Sequence, residues 1–198
     1  MKICILTPRF PFPENGGDAL RINNICRYLK SKGHTLILIS YCSSADIQRQ
    51  HNTLEQIYDK IYYVKYNRAA SFVNAILALI LNKPIQIGYY FSFAYLSTFK
   101  KVIKAEQPDL YISHLIRMTP YLNICNLQDK SIIEMTDALS KTYTFVNKSA
   151  GISLKKMIYK IERKRVAKYE MRTINSYKKC VLVSEADKDF FEHRLFNE

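Results

Sequence analysis

Glycine and proline are scarce in this chain of 198 residues, five and six respectively, while apolar residues make up 48%. That balance excludes a disordered or low-complexity polypeptide and points to an ordinary globular core. Cysteine offers neither a disulfide framework nor a zinc site. Cys4, Cys26, Cys42, Cys125 and Cys180 are odd in number, widely spaced, without a C-x-x-C pair and set in apolar runs, as core residues of a reducing compartment are. No apolar run approaches the ~20 residues of a membrane span, since the most apolar stretch, Phe72 to Leu81, is short and interrupted by Asn74. The four apolar residues Ile3 to Leu6 are too few for a signal peptide and lead straight into prolines. A cytoplasmic protein is the expectation, with peripheral contact at the inner face of the membrane as the form of membrane association left open. Acidic residues are few as well: 17 against 30 Lys and Arg, a net charge of +13, which favours phosphates, anionic lipid or nucleic acid as partners. No nucleic-acid-binding motif accompanies the charge, so nucleic acid is not expected.

What is present alternates. Ile3–Leu6 reads as a buried strand, followed by a loop from about Pro8 to Gly16 and an amphipathic helix with Ile22, Ile25, Cys26 and Leu29 on its apolar face. Gly33 fits a helix C-terminal cap, and Thr35–Tyr41 a strand covered on both faces. Further on, the pattern predicts helices over 45–58, 69–81, 93–106 and 118–127, and strands over 60–66, 109–113 and 131–135. Then come a long basic helix from Ile152 to about Ser176, a strand over 180–184 and a helix starting near Glu185. Such alternation implies an α/β fold: one Rossmann-like domain with a mostly parallel, doubly wound sheet.

In such sheets ligands bind beyond the carboxyl ends of the strands, and this chain places polar residues there. Arg9, Gly16, Gly17, Asp18 and Arg21 follow the first strand, His114 and Arg117 the fourth, Asp137 and Ser140 the fifth, Ser184 and Glu185 the sixth. The first loop is longer than the ~2 to 6 residues that joining a strand to a helix requires. Gly16 and Gly17 are either a permissive turn or a phosphate cradle at a helix N-terminus. The pair is not followed by Gly-Lys-Ser/Thr and does not make G-x-G-x-x-G, so neither ATP hydrolysis nor dinucleotide binding is favoured. His114 is either a hydrogen-bonded edge residue or a catalytic one; Asp137 either caps a segment or binds a hydroxyl; Asp18 either complements the helix dipole or takes part in the site. The segment Lys155 to Lys179 carries ten basic residues against Glu162 and Glu170. It is either a solvated helix with i,i+4 pairs to those glutamates or a surface for anionic lipid through Lys155, Lys156, Lys160, Arg163 and Lys164.

The order of these pieces resembles the N-terminal domain of family 4 glycosyltransferases of the two-domain GT-B type. The resemblance rests on Lys2-Ile-Cys-Ile-Leu-Thr7, Arg9-Phe-Pro-Phe-Pro13, Gly16-Gly-Asp18 with Arg21, and Gly33-His34. It continues through His114-Leu-Ile-Arg117, Thr136-Asp137-Ala-Leu-Ser140 and Val183-Ser-Glu-Ala-Asp187, and so spans nearly the whole of 1–198, the final residues entering an interdomain connection. It implies transfer of a sugar from a nucleotide diphosphate sugar, as co-substrate, to a hydroxyl acceptor, usually with retention and without an essential metal or other cofactor. Gly16 and Gly17 would then meet the donor diphosphate. His114, Asp137 and Asp18 would belong to the reacting centre, and Arg9, Arg21, Arg117 and Ser140 to the acceptor side. The family's second domain, which binds the nucleotide sugar, has no counterpart within these residues, so the expectation is either a truncated product or one partner of a split enzyme, the latter with a separate C-terminal domain as its partner, and transfer by this chain alone should be poor. The competing expectation is a noncatalytic basic module that binds anionic membrane or a partner subunit.

Overall fold

The structure, a computed structural model, describes residues 1–43, 54–148 and 154–195, with the side chains of helical residues 145–148, 154–158 and 194–195 left aside. Strand β1 (Lys2–Thr7) is followed by α1 (Gly17–Ser31), β2 (Thr35–Cys42) and β3 (Lys60–Lys65). Three helices come next, α2 (Arg68–Ile80), α3 (Ile85–Tyr89) and α4 (Phe93–Glu106), and lead into β4 (Leu110–His114). After α5 (Thr119–Ile124) come β5 (Ser131–Thr136), α6 (Leu139–Lys148), α7 (Leu154–Ser176), β6 (Lys179–Leu182) and α8 (Glu185–Leu195). The helix expected over 45–58 falls mostly outside the described residues; its last part, Leu54, Ile57 and Tyr58, is buried.

All six strands run parallel, in the order β3-β2-β1-β4-β5-β6. This is the order of a Rossmann-like α/β domain. Successive residues of β1 and β2 enter opposite cores, as period-two side chains must. Ile3, Ile5, Leu36 and Leu38 pack with Ile22 and Cys26 of α1, whereas Cys4, Leu6, Ile37 and Ile39 pack with Phe99 and Val102 of α4 and Tyr121 and Leu122 of α5. Both faces are covered, so these strands read as continuous apolar runs. At the amino end of the sheet, Glu106 ties α4 to two strands, accepting hydrogen bonds from Lys60 Nζ at 2.7 Å and Tyr62 OH at 2.7 Å, while its carbonyl accepts from Lys2 Nζ at 2.6 Å.

Several expectations change in detail. The helix over 118–127 is shorter, a 3-10 turn over Ile116–Met118 and then α5, and a residue with positive φ, Asn126 at 55°, turns the chain towards β5. The last strand lies earlier than its apolar run, at Lys179–Leu182, because it pairs only with β5 and is half exposed. Glu162 and Glu170 are not members of a solvated face: both are buried. Glu162 accepts the N–H of Ile85 at 2.6 Å and bonds Arg165 at 3.2 Å, and Glu170 accepts the N–H of Ser140 at 3.2 Å. The two carboxylates therefore fasten α7 to the amino ends of α3 and α6, where the helix dipoles favour negative charge.

Candidate functional site

The strand order reverses its direction of growth at β1 and β4, which puts a crevice beyond their carboxyl ends. The loop of residues 8–16 lies over it and is held from beneath by α1. Asn23, fully buried, donates to the carbonyl of Pro11 at 2.7 Å and to Glu14 Oε1 at 2.8 Å and accepts from Tyr58 OH at 2.8 Å; Arg27 reaches the same Glu14 oxygen at 2.5 Å. These contacts tie the loop to α1 and to Tyr58.

Gly16 is the N-cap of α1, with φ −120° and ψ 148° and no side-chain cap. Its backbone is ordinary, and a Cβ there would meet only the end of the Asp18 side chain, Oδ1 at 2.9 Å. Gly17 faces open space, with nothing within 4 Å of the place a Cβ would take. The amino end of α1 therefore has no side-chain cap and adjoins open space, as an anion-binding helix terminus does. Beside them is a cleft of about 200 Å³ lined by Pro8, Arg9, Phe10, Gly16, Asp18 and His114 among others. A second cleft of about 170 Å³ is walled by Arg9, Asp18, Arg117, Thr136 and Asp137. Arg9 and Asp18 belong to both and are joined by a 2.6 Å ion pair that forms the partition.

His114, which lines the first cleft, is joined to the buried Glu134 and through it to Arg21 and Thr136. His114 Nδ1 lies 2.5 Å from Glu134 Oε2, Arg21 Nε donates to Glu134 Oε1 at 2.6 Å, and Thr136 Oγ1 donates to the same oxygen at 3.0 Å. Burial pushes the Glu134 carboxyl up, but the hydrogen bond and charge of His114, with Arg21 and Thr136, outweigh it and hold the group below its ordinary range. A carboxylate on one ring nitrogen fixes the orientation of the histidine. Leu115, immediately after β4, and Thr136, the last residue of β5, both have positive φ, 68° and 64°. For side chains branched at Cβ or Cγ this is strained backbone, of a kind that gathers at functional sites. Asp137 is shifted the other way: burial first, then the nearby charges of Asp187 and Glu134, raise its carboxyl against the pull of Arg117.

The remaining expected residues divide. Arg117 is held at the rim, its Nε donating to Gln86 Oε1 at 2.8 Å and its guanidinium 5.2 Å from the centre of the Tyr90 ring. Ser140 is fully buried at the start of α6, with its carbonyl accepting from Thr144 Oγ1 at 2.8 Å, and lines neither cleft. Lys160 and Lys164 are exposed and Arg163 half-buried on α7, and the side chains of Lys155 and Lys156 lie outside the described residues. No helix among the described residues is long and apolar enough to cross a membrane. Sequence reading passed over Glu134, Asn23 and Gln86. Glu134 carried a signal, being the one acid inside the apolar run Ser131–Met135, where a carboxylate is buried only if paired.

No family model and no curated protein matches the chain. Among solved structures, it is similar to a dTDP-glucose 4,6-dehydratase from Bacillus anthracis str. Ames determined in complex with NAD, at 10% identity and a TM-score of 0.37. The similarity covers 92% of this chain and 53% of that one, so the chain spans about half the length of the dehydratase. At that level the likeness carries no weight for function, and the fold rests on the strand order.

Proposed function

We propose that the chain is the acceptor-side half of a glycosyltransferase, whose clefts receive the diphosphate of a nucleotide diphosphate sugar at the N-terminus of α1 and a hydroxyl acceptor beside His114. The observation that carries this reading is the uncapped end of α1 opening onto a cleft walled by Arg9 and His114. Backbone N–H groups and Arg9 would stabilise the charge that grows on the departing diphosphate. His114, oriented by Glu134, would take the proton of the acceptor hydroxyl. Arg21 acts through Glu134 and is a positioning residue, whereas Asp137 and Arg117 border the acceptor side of the partition. Asp18 fills with its own carboxylate the place an anion would take on Arg9, and a diphosphate would displace it.

The clefts hold about 200 and 170 Å³, less than the ~300 Å³ at which enclosed small-molecule sites begin. A second wall is therefore required to exclude water and complete the phosphate clamp. A separate α/β unit docking over the carboxyl ends of the strands would supply it. Titration calorimetry with UDP tests the diphosphate assignment. Gly17→Ala, for which there is room, should bind as the parent does, Gly17→Asp should weaken binding at least tenfold, and Asp18→Asn should strengthen it several-fold. Unchanged affinity in Gly17→Asp removes the assignment.

A further inference from the structure

Helix α2 is built inside out. Its buried positions are Ser71, Ala75 and Ala78, and the large apolar side chains of Phe72, Val73, Ile76, Leu77 and Ile80 are exposed, Phe72 by 64% and Ile80 by 73%. The helix is seated all the same. Gly88 of α3 lies so close that a Cβ on it would be 2.4 Å from Ala78 Cβ and 2.4 Å from the Asn74 carbonyl oxygen, and Asn74 Nδ2 donates to the Phe91 carbonyl at 2.9 Å. Small residues make the inner contact and leave the large ones with no place in the core. A contiguous apolar patch of this kind is rare on a protein surface without a function.

Charge selects what covers it. Between Asp59 and Glu106 the chain contains no acidic residue. An apolar groove of about 460 Å³ runs under the helix past Leu77, Leu81, Phe93 and Ile124 to Lys83 and Tyr169. From those two residues a basic groove of about 320 Å³ continues along α7 past Lys164, Lys168 and Arg172. Neither groove is lined by an acid. Arg165 Nε donates to Asn82 Oδ1 at 2.8 Å and joins α7 to the end of α2, so the patch and its cationic border are one surface. With 13 residues α2 is ~20 Å long, too short to span a bilayer and suited to lying in its interface.

We infer that α2 docks the protein on an anionic bilayer surface, its apolar side chains entering the acyl boundary while Lys83, Lys164, Lys168 and Arg172 meet the headgroup phosphates. Each cation near such a surface and each buried apolar side chain adds to the partition, so neither group suffices alone. This assigns the contact to α2 together with Lys83, Lys164, Lys168 and Arg172, and it holds whether or not the clefts transfer sugar.

Co-sedimentation of the full chain with vesicles of phosphatidylcholine alone, and of phosphatidylcholine with one third phosphatidylglycerol, tests the assignment. The expected result is binding to the anionic vesicles only, reduced at least tenfold by Phe72→Ser with Ile80→Ser and, separately, by Lys164→Glu with Lys168→Glu. All of these side chains are exposed, and circular dichroism should show the fold of each variant retained. Raising the salt from ~0.1 to ~0.5 M should weaken binding of the parent. Equal binding to neutral vesicles, no binding to either, or no effect of the α2 variant overturns the inference. So does a dimer, seen by sedimentation velocity in the absence of lipid, that the α2 variant dissociates, since the patch would then belong to a second copy.

Discussion

Glu134 sits where three elements meet, β5 carrying it, β4 presenting His114 and α1 presenting Arg21. Its carboxyl binds its proton more weakly folded than unfolded, the folded value lying below the ordinary 4.5. The stability it contributes is therefore complete above about pH 4.5 and is lost as the pH falls through the lower folded value. Glu134→Gln should flatten the decline in Tm between about pH 5 and pH 3, measured by thermal unfolding across that range. Arg21→Met leaves the carboxylate with a missing partner and should cost about 2 kcal/mol in urea unfolding at neutral pH, the worth of a hydrogen bond to a buried charge. This cluster shows where sequence reading stops. His114 and Arg21 stood out as polar residues at element ends, but the partner that joins them is 20 residues from one and 113 from the other. Nothing in the spacing of an isolated acid says which cations the fold will bring to it.

At the scale of elements, apolar periodicity located the strands and helices, because most of them bury one face or two in the cores on either side of the sheet. The fold class followed from their alternation. The exceptions have physical causes. β6 is an edge with little to bury, so its apolar run did not mark its limits. Glu162 and Glu170 looked like surface partners of neighbouring lysines until α3 and α6 placed N–H groups against them. α2 reads as an ordinary apolar helix, and the burial of Ser71, Ala75 and Ala78 with the close approach of Gly88 shows that its small side faces inward. Gly88 has no space for a side chain against Ala78 and Asn74. Gly88→Ala should therefore destabilise by about 1 to 3 kcal/mol, the cost of overpacking a tight contact. Gly17→Ala, a matching change in open space, should be neutral or slightly stabilising. Paired chemical denaturation curves check both.

For the whole molecule, the expected behaviour is binding without efficient chemistry. Radiolabelled sugar transfer by this chain alone should be barely above background, and it should rise when an α/β unit covering the carboxyl ends of the strands is supplied. Ordinary glycosyltransferase rates from the chain by itself would contradict the half-site reading. The strand order has a further consequence for how the polypeptide is made. Of the six strands of the sheet, β1 is made before the others and is one of the two central ones, flanked by β2 and β4. Its edge towards β2 is covered once residue 42 has been made, but its other edge pairs Ile3 with Leu110 and Leu6 with Ser113. For the synthesis of some seventy further residues, the middle of the future sheet is an open edge. Pairing outward from β1 is thereby split into two steps by the order of synthesis, and a chain arrested before β4 would present the β1 edge to a chaperone or to aggregation.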